Sequence, residues 1–178
     1  MAYANCDLLW LRGKHGEYVI KEFAVYDAEN VAERDTVRIV TFAPPYALPE
    51  KYRKENDFAT KKIHGISWNG GDMPYHTLSD TLRSIVAPYR KIYLMGDEKA
   101  ALVKCFLPNI TVCNIEQMGC LKLDTMTEID VPCHKNVHCF KPEFTCAGRN
   151  AKRAGLWLLY KNKKLIETSQ DTQVAVPQ

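Results

Sequence analysis

Tyr18-Val19-Ile20-Lys21-Glu22-Phe23-Ala24-Val25-Tyr26 is the stretch on which the fold turns. Its β-branched and aromatic residues read as a strand. Upstream, Asp7 to Gly13 carries the apolar run Leu8-Leu9-Trp10-Leu11 and reads as a strand that reaches it through the turn Lys14-His15-Gly16. Downstream, Thr36 to Ala43 reads as a third strand, ended by Pro44-Pro45, which cannot continue a ladder. Three strands with short connections predict an antiparallel meander.

The pattern then changes period. Leu48 to Lys62 is polar and helix-compatible, with Pro49 suited to a helix start. Ser67 to Pro74 holds Asn69-Gly70-Gly71-Asp72 and reads as an irregular loop. Leu78, Leu82, Ile85 and Val86 fall at helical spacing within Thr77 to Tyr89, with Thr77 or Ser79 as cap. Lys91 to Met95 reads as a short buried strand, Glu98 to Leu107 as a helix, Ile110 to Ile115 as a strand and Arg149 to Tyr160 as the last helix. The expected order is β-β-β-α-α-β-α-β-loop-α: an α/β domain with a mixed central sheet and helices on both faces. Residues 1–165 are assigned to this domain and 166–178 to a disordered tail.

With 178 residues, a net charge of +3, 46% hydrophobic and 25% charged residues, the chain has ordinary globular proportions. These values exclude a coiled coil, a collagen-like fibre and a disordered chain. No apolar run reaches the roughly 18 residues of a membrane span. The first residues lack a basic-then-apolar leader, and the seven cysteines are an odd number, so the expected setting is intracellular, cytoplasmic rather than nuclear, without a disulfide framework. Cys105 and Cys113 sit in apolar runs and read as core residues.

Three other cysteines are different. Cys133-His134-Lys135-Asn136-Val137-His138-Cys139-Phe140-Lys141-Pro142-Glu143-Phe144-Thr145-Cys146 places three thiols and two imidazoles in 14 residues. Thiolate and imidazole are the preferred zinc ligands, four at a time in closed sites. A metal would order a loop too polar to order itself. Neighbours such as Cys133-His134 and His138-Cys139 diverge in direction, so one ligand from each pair is expected, with Cys146 as a third. Glu22, the only acid in an otherwise apolar strand, is the candidate fourth: a buried carboxylate needs a partner.

Hydrolytic chemistry has weaker support. Two-metal hydrolysis needs carboxylates that hold two divalent ions about 4 Å apart. The first strand as read here has no acid inside it, and Asp7 at its start lies roughly 10 Å from the centre. Asp97 and Glu98 read as helix N-terminal acids favoured by the dipole. No GxSxG, P-loop or GxGxxG motif is present. Cys146, just before the last helix, is a candidate nucleophile only in combination with a nearby histidine.

The element order resembles the ribonuclease H-like fold. Leu8–Gly13 with Tyr18–Tyr26, Ile92–Leu102, Val112–Leu123 with its Glu116-Gln117-Met118-Gly119-Cys120, and Cys133–Leu158 are similar to the degenerate DEDD-type exonuclease group that includes the Maelstrom domain, and to exonuclease-like proteins of viruses and mobile elements. The resemblance implies loss of the hydrolytic carboxylates and a Glu-Cys-His-Cys zinc set. By position these are Glu22, then Cys133 or Cys139, then His138 or His134, then Cys146. It further implies single-stranded RNA binding or processing, in RNA silencing or in a viral or mobile-element setting.

Basic residues allow that reading. Lys51, Arg53, Lys54, Lys61 and Lys62 interleave with Tyr52 and Phe58, and Arg149, Lys152 and Arg153 open the last helix. Such clusters can follow a phosphate backbone while aromatic rings stack bases. Two other readings belong to different classes: a protein–protein interaction module without nucleic-acid activity, and an active metal-dependent 3′–5′ exonuclease.

Overall fold

The computed structural model describes residues 2–30, 36–120, 122–123 and 143–174, with side chains as far as residue 163. Five strands form one mixed sheet: β1 (Tyr3–Arg12), β2 (Tyr18–Tyr26), β3 (Val37–Thr41), β4 (Lys91–Leu94) and β5 (Thr111–Asn114), in the order β3-β2-β1-β4-β5. β1, β2 and β3 pair antiparallel; β4 joins β1, and β5 joins β4, in parallel. The helices are α1 (Arg53–Phe58), α2 (Leu78–Val86), α3 (Asp97–Phe106) and α4 (Ala147–Val174). The expected α/β class and mixed sheet are therefore present. Among the described residues no helix is long and apolar enough to cross a membrane.

Alternation along β1 and β2 sorts the two faces. Ala4, Cys6 and Leu8 join Ile20, Phe23 and Val25 in the larger core, beneath Leu78, Leu82 and Val86 of α2 and Ala100 and Val103 of α3. Leu9, Ala24 and Tyr26 face the other way, against Ala147 and Ala151 of α4. α4 lies very close to the sheet. A Cβ on Gly155 would stand 2.5 Å from the Tyr26 ring, and one on Gly148 would stand 2.5 Å from Ile39 Cδ1.

Several elements depart from the sequence reading. β1 begins at Tyr3, four residues early, because Tyr3, Ala4 and Asn5 pair with Lys91, Ile92 and Tyr93 of β4. The helix expected over 48–62 is a composite: a 3-10 turn at Glu50–Tyr52, α1, and a π-helical turn at Ala59–His64 closed by left-handed Gly65. α4 runs to Val174, beyond the expected end at Tyr160 and into the stretch assigned to a tail.

Strict alternation in β2 would turn either Lys21 or Glu22 to solvent, yet both are fully buried. The register explains this. Leu9 pairs with Glu22 and Trp10 with Ile20, so Lys21 is the extra residue of a β-bulge. Its ammonium donates to the carbonyl oxygens of Phe42, Trp68 and Gly70 at 2.6, 2.7 and 2.6 Å. These contacts fasten the 66–73 loop to the end of β3. Gly71, at φ +126°, lies so close to the Phe42 backbone that a side chain would collide with it.

Candidate functional site

Asp7 stands in the middle of β1, not at its start, and is buried. This corrects the expectation that the strand holds no acid; the cause is the pairing with β4, which lengthens β1 at its N-terminal end. The Asp7 carboxylate meets two donors from distant elements. Lys99 Nζ, in the first turn of α3, forms an ion pair with Oδ1, and Asn150 Nδ2 of α4 donates to Oδ2 at 2.7 Å. A pocket of about 240 Å³ beside it is lined by Asp7, Met95, Lys99, Lys122, Leu123, Thr145 and Asn150.

The acids at the start of α3, Asp97 and Glu98, turn elsewhere. Asp97 accepts from Asn114 Nδ2 at 2.8 Å and from Gln117 Nε2 at 3.2 Å, and Glu98 accepts from the Tyr18 hydroxyl at 3.0 Å. Successive helical positions point about 100° apart, and α3 is set so that Lys99 reaches Asp7. One carboxylate, one ammonium and one amide do not make a two-metal centre, which needs several anionic oxygens converging on the ions. The residues present do not fit that group.

A larger groove, of about 400 Å³, opens next to this pocket, and Lys99 and Thr145 line both. Its floor is Leu8–Arg12, and its far wall comes from the helical segment through Phe58, Ala59, Ile63 and His64. β4 pairs with β1 only as far as Asn5, so the second half of β1 has no strand on that side among the described residues. Asn56 caps the end of this edge: Arg12 N donates to its Oδ1 at 2.7 Å, and its Nδ2 donates to Arg12 O at 2.9 Å.

Aromatic and cationic groups share the groove. Trp10 and Tyr18 lie 4.5 Å apart between ring centroids, Arg12 is 4.2 Å from the Tyr18 ring centre, and Lys99 Nζ is 5.8 Å from that of Trp10. Phe58 is 59% exposed and Ile63 is 40% exposed. Of the first basic cluster, Lys51, Arg53, Lys54, Lys61 and Lys62 are all exposed on the segment that forms this wall, with Arg53 paired to Glu50 at 2.7 Å. The second cluster is set differently. Arg149, Lys152 and Arg153 are half-buried along α4, and Lys152 Nζ lies 5.9 Å from the Tyr26 ring centre.

The proposed metal ligands are partly in view. Glu22 and Cys146 are both fully buried. The Glu22 Oε1 accepts from the backbone N of Ala147 at 3.0 Å, which brings its carboxylate to the residue after Cys146 and to the start of α4. A carboxylate suits a helix N-terminus, so Glu22 already has a structural role. Cys133, His134, His138 and Cys139 lie outside the described residues, and among the described residues no group of three or more His, Cys, Asp or Glu side chains converges. Of the expected zinc set, the described residues thus show one buried carboxylate, hydrogen-bonded at the start of α4, and one buried thiol in the residue before that helix.

No family model matches the chain, and no curated protein matches it.

Sequence reasoning missed the Asp7–Lys99–Asn150 group. A lysine two residues into a predicted helix carries no signal of its own. It also missed the π-helical turn, a form common at functional sites.

Proposed function

We propose that the chain is a ribonuclease H-like module of the degenerate exonuclease type that binds single-stranded RNA without two-metal hydrolysis. The observation that carries this reading is the groove along the open half of β1, where Trp10, Tyr18 and exposed Phe58 offer ring faces beside Arg12 and Lys99. Bases stack on such rings whatever their sequence, and Lys54, Lys61 and Lys62 on the adjoining wall supply charge for the phosphates. The strand order β3-β2-β1-β4-β5, with the meander antiparallel and the last two strands parallel, supports the fold assignment.

In this reading zinc is bound by Glu22, Cys146, one thiol of Cys133 or Cys139, and one imidazole of His134 or His138. When bound, it supplies a structural cross-link and no reactive position. Glu22 orients the start of α4 through Ala147 N, and α4 in turn delivers Asn150 to Asp7.

The test is fluorescence anisotropy of a labelled single-stranded RNA over a salt series, with and without EDTA. The expected result is binding whose logarithm falls linearly with the logarithm of salt concentration, with no shortening of the RNA whether Mg²⁺ or EDTA is present. Absence of binding at low salt would favour the protein-interaction module. EDTA-sensitive degradation would favour the exonuclease.

A further inference from the structure

Asp7 has features that a divalent cation would require: a carboxylate on the central strand, a 240 Å³ pocket beside it, and the oxygen-bearing side chains of Asn150 and Thr145 around it. It is instead compensated from within the chain. A buried carboxylate must be paired, and Lys99 supplies the positive charge on Oδ1 while the Asn150 amide occupies Oδ2. An ammonium already seated on Oδ1 opposes the approach of a further cation to that oxygen.

We infer that Lys99 is a tethered substitute for a divalent cation, so that the pocket at Asp7 is a Mg²⁺- or Mn²⁺-class site closed by the chain's own ammonium. The side chain reaches Asp7 from the first turn of α3 and also lines the groove over Trp10, at 5.8 Å from the ring centre. The positive charge at the junction of pocket and groove is thus built in and does not vary with metal supply. Shortening or neutralising this side chain opens one coordination direction on Asp7. The Asn150 amide then needs only a half-turn to present its oxygen in place of its nitrogen. The oxygens of Asp7, Asn150 and Thr145, completed by water, suit a hard cation.

The test stands apart from the RNA reading and uses the full chain with Mn²⁺ as the probe. In the native protein, the side-chain amide resonance of Asn150 is expected to show no selective paramagnetic broadening as Mn²⁺ is added. Lys99→Met is expected to gain one Mn²⁺ site, seen by electron paramagnetic resonance, that broadens that resonance and is lost in Lys99→Met with Asp7→Asn. Selective broadening in the native protein would overturn the inference, because the ion would then be displacing Lys99 unaided. Lys99→Met that folds but gains no Asp7-dependent site would overturn it as well. Should Lys99→Met not fold, Lys99→Gln serves the same comparison, and the native measurement remains decisive. RNA binding can fail with all these results intact, and the reverse also holds.

Discussion

The Asn150 side-chain amide donates to the Asp7 carboxylate at 2.7 Å across 143 positions of sequence, joining α4 to the central strand. Among the described residues, both donors to Asp7 are brought by helices that pack on the sheet for other reasons: α3 by its apolar face, α4 by its small residues.

Asn150→Asp tests that bond. It would set two carboxylates against each other with one lysine between them, so one must hold a proton that it would release in water. A carboxyl held protonated in the folded state loses stability as pH rises past its unfolded value. The variant is expected to be about 2–4 kcal/mol less stable than the native chain at neutral pH, with the deficit shrinking on acidification. Urea denaturation at neutral and acidic pH measures both values, and a deficit independent of pH would contradict the pairing.

Lys21 provides a second pH signature. Burial pushes its ammonium down from 10.5 to about 8. Between those values the unfolded chain keeps a proton that the folded chain releases, so this group's contribution to stability rises with pH across that window. Below about 8 both states are protonated and the contribution is flat. The difference between native protein and Lys21→Met, followed by denaturation from pH 7 to 11, isolates that slope from the tyrosines that titrate nearby. At neutral pH, Lys21→Met strands three carbonyl acceptors at about 1 kcal/mol each but also removes the burial of an ammonium; the two terms oppose, and the net change is expected to stay within about 1 kcal/mol.

Close packing of α4 gives a purely steric prediction. Gly155→Ala places a methyl group 2.5 Å from the Tyr26 ring. The helix must lift or the ring must move, at a cost of about 1–3 kcal/mol that outweighs the better helix propensity of alanine. A thermal melt that rises on this substitution would contradict the observed approach.

Phe58→Ala separates binding from folding. The ring is 59% exposed, so its loss should leave thermal stability nearly unchanged. If a base stacks on it, RNA affinity should fall by about 1–3 kcal/mol. Equal affinity in the two proteins would remove Phe58 from the binding surface.

Metal content distinguishes the two roles of Glu22. Glu22→Gln keeps an oxygen that can accept from Ala147 N, so the start of α4 should survive, while a zinc site would lose its anionic ligand. Mass spectrometry of purified protein is expected to find one zinc per chain in the native form and substantially less in Glu22→Gln and in Cys146→Ser. Equal metal content in native and Glu22→Gln protein would leave Glu22 as a helix cap alone.

Much of the sheet was legible in the sequence. Tyr18–Tyr26 forms a strand with the expected limits because β-branched and aromatic residues crowd it, and β4, α3 and β5 lie within a residue or so of their expected places. Local pattern misplaced the start of β1, since Tyr3-Ala4-Asn5-Cys6 becomes a strand only by pairing with β4 far along the chain. It also placed Asp7 outside the site for the same reason.

Alternation and composition, which are properties of neighbouring residues, determined by themselves that this chain builds a three-stranded meander followed by alternating helices and strands, and that an acid and a lysine stand side by side in its second strand. Only the tertiary structure decided which partners the buried charges receive. The Lys21 ammonium reaches three carbonyls because a bulge turns it inward, and Asp7 meets Lys99 and Asn150 because two helices cross one strand. A buried charge has to be answered by whatever group packing brings within about 3 Å, and that distance is not written in any local run of residues.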